Sequence, residues 1–191
     1  MRSRRWFANS GKLSVLVTAS LMAVMIAIAM ERRTYSMTPE ENTVMFQRIW
    51  DELFNQRKLE VVDELFAPDF VNHVRVVQVR EAPPPPFPPG PAHMKQLVTT
   101  LTTAFPDSHI TVEDIIATGD KVVGRITWSG THQGDFLGIP PTGKAFKVSH
   151  IQIYRFAGGK IVEHWAVRDD LGMLRQLGLI PPLEQPSTQS R

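Results

Sequence analysis

From His109 to Val167 the chain alternates apolar and polar residues in run after run, and that period of two commits its second half to β-strands buried on one face. His109–Ala117 sets Ile110, Val112 and Asp114 on one face and Thr111, Glu113 and Ile115 on the other. After a Gly119-Asp120 turn, Lys121–His132 puts Val122, Gly124, Ile126, Trp128, Gly130 and His132 on a common face. A Gly- and Pro-rich crossover, residues 134–143, leads to Lys144–Phe156, where Phe146, Val148, His150, Gln152 and Tyr154 share a face. Gly158-Gly159-Lys160 turns into a last strand, Ile161–Val167. The same counting places Ile161, Glu163, Trp165, Val167 and Asp169 together, with Val162, His164 and Ala166 opposite.

The preceding stretch is helical. Thr38-Pro39-Glu40-Glu41 reads as an N-cap, a first-turn proline and an acidic first turn. Met45, Ile49 and Leu53, with Phe46 and Trp50, form one apolar stripe, which predicts an amphipathic helix to about Asn55. A second short helix is expected over Leu59–Phe66, stopping before Pro68, and a brief strand over Phe70–Val74. Seven prolines fall in Ala82–Pro91, a stiff extended connector without ladder donors. A third helix follows over Ala92–Phe105, with Met94, Leu97, Val98 and Leu101 on one side. Helices first and an antiparallel sheet afterwards define an α+β class. The expected architecture is a cone: a curved antiparallel sheet wrapped around three N-terminal helices, open at one mouth where a ligand enters.

The domain then spans residues 38–182, with 183–191 as a disordered tail and 1–37 as an appendage. Arg2, Arg4, Arg5 and Lys12 precede Leu13–Met30, an uncharged apolar run of 18 residues. At ~1.5 Å per residue such a run reaches about 27 Å, enough to cross a bilayer core. A single membrane anchor and an export signal are both open. Ser3-Arg4-Arg5-Trp6-Phe7 resembles a twin-arginine motif and Ala27-Ile28-Ala29 a cleavage site, whereas Arg32 and Arg33 just beyond blur either reading. If Met37 is the true start, the chain is cytoplasmic. The formal charge of +2 is carried by this appendage, which holds six of the 21 Lys/Arg but only Glu31 among the acids. The mildly acidic remainder, with no basic run, gives no case for nucleic acid. There is no cysteine, so disulfides, thiolate nucleophiles and Cys-ligated zinc are excluded.

Chemistry concentrates where the last strand becomes a short helix that Gly178 closes and Pro181-Pro182 stop. Asp169 and Asp170 stand at that changeover beside His164 and Trp165. A rigid strand end can present a base to a loop-lined pocket, and a carboxylate there can equally cap the helix. His73, His132 and His150 are further polar candidates, without the His-x-His or Glu-x-x-His spacing that would argue for a metal.

Three motifs now carry a resemblance: Ala104-Phe105-Pro106-Asp107; Gly130-Thr131-His132-Gln133-Gly134-Asp135-Phe136-Leu137-Gly138-Ile139-Pro140-Pro141-Thr142-Gly143-Lys144; and Glu163-His164-Trp165 with Asp169 and Gln176-Leu177-Gly178. They resemble the SnoaL-like polyketide cyclases, or ester cyclases, of the nuclear-transport-factor-2-like fold, over roughly Glu40–Pro181. The resemblance implies an intramolecular aldol ring closure of a polyketide ester, with no metal, nucleotide or organic cofactor, by an Asp acting as general acid and base. Asp169 is the position it matches. A free Asp, with a pKa near ~3.9, is a weak base, and burial against Trp165, Trp128 and Phe146 would raise it. His132 is then the orienter of that Asp or an oxyanion donor, and His73 and His150 are polar groups of the pocket. His132 can alternatively serve only to bond the backbone of its Gly-rich loop, and His164, with the opposite parity, falls outside the pocket.

The expected substrate is a small hydrophobic carbonyl compound. Two other functions stay open on the same fold: a non-catalytic ligand-binding domain held at the membrane, and an interaction module, since the fold often pairs through its sheet into a homodimer or higher homo-oligomer.

Overall fold

A computed structural model describes residues 37–74 and 87–180 of the 191-residue chain. The apolar run Leu13–Met30, residues 82–86 of the proline-rich connector and the tail from residue 183 lie outside the described residues. Among the described residues no helix is long and apolar enough to cross a membrane.

Helix α1, Pro39–Arg48, starts with a capping box: the Glu41 backbone N–H donates to Thr38 Oγ1 at 3.2 Å and the Thr38 N–H to Glu41 Oε2 at 2.8 Å. The helix runs on to Asn55, as its apolar stripe requires, but Ile49–Asn55 is wound as a π-helix. Asn55 at its end bonds both backbone groups of Ile110, the N–H at 2.9 Å and the C=O at 2.8 Å. Helix α2, Val61–Leu65, stops one residue earlier than its apolar pattern suggested. Phe66 already opens strand β1, Phe66–Asn72. Helix α3 is Pro91–Ala104, followed by β2, His109–Thr118; β3, Lys121–Thr131; β4, Ala145–Ala157; β5, Lys160–Arg168; and helix α4, Asp170–Gln176.

The sheet order is β1-β5-β4-β3-β2, a curved sheet with helices on its inner face, so the α+β cone read from the alternation is the observed fold. It differs from the expectation in one pairing. Strand β1 precedes α3 and lies parallel to β5, while the other neighbours are antiparallel. The helices reach the sheet through Phe46, whose ring covers Gly124: a Cβ there would stand 2.1 Å from the ring. A glycine on an otherwise apolar strand face is thus the seat for an aromatic side chain from α1.

Two β-bulges change which residues face inward. Between Val112 and Asp114 the β2–β3 register slips, so Ile115 and Ala117 join the inner side and Asp114 pairs outside with Arg125. Between β4 and β5, Phe156 pairs with Ile161 but Arg155 with Glu163, which leaves Val162 as the extra residue. Beyond it every side chain of β5 sits on the face opposite to the one counted from Ile161.

Candidate active site

The inner face of the sheet and the covering helices enclose a cavity that opens to solvent at its mouth. Most of its wall is apolar, from Trp50 and Phe54 on the first helix, Met94, Leu97 and Leu101 on α3, and Trp128 on β3. Trp50 is almost wholly buried, and its indole N–H meets no hydrogen-bond partner among the described residues.

The polar side comes from β4, β5 and the residues next to them. Register pairs His150 with Arg168, Gln152 with Ala166 and Tyr154 with His164. All of these but Ala166 line the cavity, together with Asp170. Asp170 is the one carboxylate among the described lining residues, and Arg168 Nη2 donates to its Oδ2 at 2.8 Å. His150 is buried, and its Nε2 also has no partner among the described residues. Burial, seconded by the Arg168 guanidinium, pulls the His150 pKa down to about 4 against the opposing charges of Asp170 and Asp169. A neutral imidazole therefore stands next to an ion pair.

His164 lies deeper still. Its ring stacks on Tyr154 with centroids 4.2 Å apart. Its Nδ1 is 3.1 Å from Asn72 Oδ1 and its Nε2 is 2.7 Å from the Gln152 amide. Burial first, then the Arg168 charge, holds its pKa at about 3. Asn72 in turn meets His93 Nε2 at 2.9 Å. Asn72, His93, Gln152 and His164 thus form a continuous polar strip along an apolar cavity.

The residues singled out in the sequence divide over several places. His150 and Trp128 line the cavity as expected, with Phe146 packed edge-on behind Trp128 at 4.7 Å. Trp165 and His73 do not line it. The Val162 bulge turns Trp165 to the outer face, and the parallel pairing of Asn72 with His164 gives Asn72 the inner side and His73 the outer one. There the two rings stack at 4.7 Å, and His73 Nε2 lies 3.4 Å from Glu163. Arg155, with His73 assisting, holds the Glu163 carboxyl below the usual range. His164, assigned by parity to the outside, is inside for the same reason that Trp165 is not.

His132 is wholly buried but lies behind the cavity wall against Phe105. Its ring Nδ1 accepts the Thr142 N–H at 3.3 Å, and its backbone bonds Lys144 and Gly143, so it knots the ends of the crossover loop. Burial lowers its pKa. The two aspartates exchange the positions expected of them. Asp169 is the N-cap of α4: its Oδ1 accepts the Gly172 N–H at 2.8 Å, and its carboxylate occupies the space a Cβ on Gly172 would need. Asp170, one residue on, faces the cavity. Because Arg168 is the last inward residue of β5, the turn of chain at Asp169 brings Asp170, and not its neighbour, back to the same side.

Asn72, His93 and Gln152 were not among the candidates. Gln152 carried a signal, being an amide amid buried apolar residues on β4; Asn72 and His93 carried none until β1 and α3 were placed beside β5. Among the described residues no three or more His, Asp and Glu side chains converge as a metal site would require.

Residues 44–177 match the SnoaL-like polyketide cyclase family. The chain is 29% identical to nogalonic acid methyl ester cyclase of Streptomyces nogalater over 65% of this chain and 89% of that protein. It is 34% identical to aklanonic acid methyl ester cyclase DnrD of Streptomyces peucetius over 47% of this chain and 62% of that protein. Among solved structures, IdmH of Streptomyces antibioticus superposes with a TM-score of 0.60 at 36% identity, covering 74% of this chain and 99% of that one. Curved sheet, inner cavity and family match agree: the chain belongs to the SnoaL-like polyketide cyclases, and is a cyclase-like enzyme on the nuclear-transport-factor-2-like cone.

Proposed function

We propose that the protein closes a ring in a small, largely apolar polyketide-type ester by an intramolecular aldol reaction, with Asp170 as the group that takes and returns the proton. The observation that carries this reading is the single carboxylate among the described residues of an otherwise mostly apolar cavity, in a chain of this family. The substrate is a compound with an acidic C–H between two carbonyls and a ketone within reach in the same molecule.

In this scheme a carboxylate oxygen of Asp170 removes the C–H proton, and the electron pair passes into an enolate. The enolate carbon bonds to the ketone carbon, whose π electrons move to oxygen. The resulting alkoxide recovers the proton from Asp170. Nothing is oxidised or reduced, and product and substrate are isomers. His150, kept neutral by its burial, has an Nε2 with no partner among the described residues and is suited to donate to the enolate or alkoxide oxygen. The Arg168 guanidinium supplies fixed positive charge where anionic character develops, and Trp128, Phe54 and Leu101 exclude water from it. Asp169 acts at one remove, by capping the helix that carries Asp170.

The test is to incubate the full-length chain with nogalonic or aklanonic acid methyl ester in chelator-treated buffer and follow the product by chromatography and mass. A cyclised product of unchanged mass supports the proposal. Failure to convert either ester, or a product of altered mass, speaks against it.

A further inference from the structure

The polar strip along the cavity is a chain of hydrogen bonds with a direction, and a backbone group sets it. In its middle the Val74 backbone N–H donates to Asn72 Oδ1 at 3.0 Å. An N–H can only donate, so this end of the Asn72 side chain is its oxygen, and the amide cannot be turned over. The other end of the Asn72 amide is then NH₂, and it donates to His93 Nε2 at 2.9 Å. His93 Nε2 accepts, so its proton is on Nδ1, which suits the bond His93 makes to the Pro88 carbonyl. The Val74 backbone anchor thus fixes the orientation of Asn72, and the Pro88 backbone group beside His93 is in keeping with it.

The consequence runs through His164. Its Nδ1 faces Asn72 Oδ1 at 3.1 Å, an oxygen that already accepts from Val74, so Nδ1 carries a proton and donates. The ring is neutral at ordinary pH, because burial holds its pKa at about 3. Its Nε2 is consequently a bare lone pair. The Gln152 amide meets that lone pair at 2.7 Å through the position assigned as Oε1, an acceptor against an acceptor. Oxygen and nitrogen of a side-chain amide have nearly the same shape, and only the hydrogen-bond partners distinguish them. The partners here require a half-turn of the Gln152 amide, with its NH₂ toward His164.

We infer that Gln152 presents its carbonyl oxygen to the cavity, held that way by the chain Pro88–His93–Asn72–His164, and that this oxygen selects a substrate bearing a hydroxyl or enol O–H at that point. Gln152 is thus a specificity-determining acceptor, and His164 and Asn72 are positioning residues that act through it. With His150 Nε2 and Trp50 Nε1 still to be matched, the cavity asks its ligand for both a donor and an acceptor, a pattern that fits a hydroxylated, ketone-bearing ring system and rejects a fully alkylated one. The inference rests on this cavity being the substrate site, as proposed above.

Two measurements on the full-length chain test it. Nitrogen-15 histidine spectra, which need no ligand, report the protonated ring nitrogen. His93 and His164 are expected in the Nδ1–H form at neutral pH; an Nε2–H tautomer at His164, or a protonated ring, overturns the orientation of Gln152. Binding of a hydroxyanthraquinone is then compared with that of its methyl ether by quenching of tryptophan fluorescence. The hydroxyl compound is expected to bind about ten-fold more tightly, and Gln152→Met, of similar volume, to abolish that preference while leaving the ether unchanged. Equal binding of the two compounds by the native chain, no binding of the hydroxyl compound, or a preference that survives Gln152→Met overturns the selection. Loss of ring closure with the tautomers intact would instead fault the aldol reading and leave the orientation standing.

Discussion

Acid should unfold this protein earlier than its carboxylates alone would dictate. His150 and His164 remain uncharged in the folded chain down to pKa values of about 4 and about 3, against an ordinary value of 6.5. In the unfolded chain both bind protons once the pH drops below that ordinary value. Their folded pKa values are depressed, so the stability they contribute is complete above about pH 6.5 and is lost progressively as the pH falls towards the folded values. At about pH 5 each imidazole costs the native state ~2 kcal/mol, together ~4 kcal/mol, a large part of the 5–15 kcal/mol that typically holds a domain together. His93 and His132, also lowered by burial, act in the same direction. The depressed carboxyls of Glu52, Asp107 and Glu163 act in the same direction, but only as the pH nears their ordinary values of 4.5 and 3.8, at the acid edge of this window. Urea unfolding of the full-length chain between about pH 7.5 and pH 5 should therefore show stability falling with a proton uptake approaching two, and the melting temperature dropping by roughly 10 °C. The double variant His150→Gln, His164→Gln should be less stable at neutral pH but much flatter with pH. Stability that stays level over this range, or His150 and His164 resonances titrating near their ordinary value, would refute the burial on which the site description depends.

Other consequences are local. Gly124→Ala drives a methyl group into the Phe46 ring, and overpacking of this kind costs ~1–3 kcal/mol; a denaturation midpoint unchanged from the native chain would show that α1 is not seated there. Asn55→Ala unpairs both backbone groups of Ile110 on the edge strand β2, at ~1–3 kcal/mol, with loss of amide protection at Ile110 as the readout. His73→Ala removes the ring stacked on Trp165 outside the cavity, so turnover and ligand affinity should stay within two-fold, about the scatter of such assays.

The long alternations on β3 and β4 revealed their inner faces because no bulge interrupts the pairing of those strands: Trp128, Val148, His150, Gln152 and Tyr154 lie where period-two counting puts them. On β5 the same counting failed after a single extra residue, Val162. A bulge leaves no trace in hydrophobic periodicity, because it is set by the pairing with β4 and not by the strand's own pattern. That one slip exchanged His164 for Trp165. The exchange of Asp170 for Asp169 has a related origin, since parity says nothing once the strand ends and the chain turns at a helix cap. His132 was open to two readings, and its bonds to Thr142, Lys144 and Gly143 give it the loop-binding one in geometry. Asn72 and His93 needed tertiary structure, because a parallel strand and a helix distant in sequence bring them to His164.

The central claim, that Asp170 and not its neighbour faces the reacting substrate, is tested most directly by comparing turnover of Asp170→Asn with that of Asp169→Asn on a cyclisable methyl ester. Removing a general acid–base group should lower kcat for Asp170→Asn by about 10²- to 10⁴-fold. Asp169→Asn keeps a capping side chain and should retain kcat within a few-fold, with at most ~1 kcal/mol lost in stability. The reverse pattern, with Asp169→Asn inactive yet folded and Asp170→Asn turning over normally, would contradict the account.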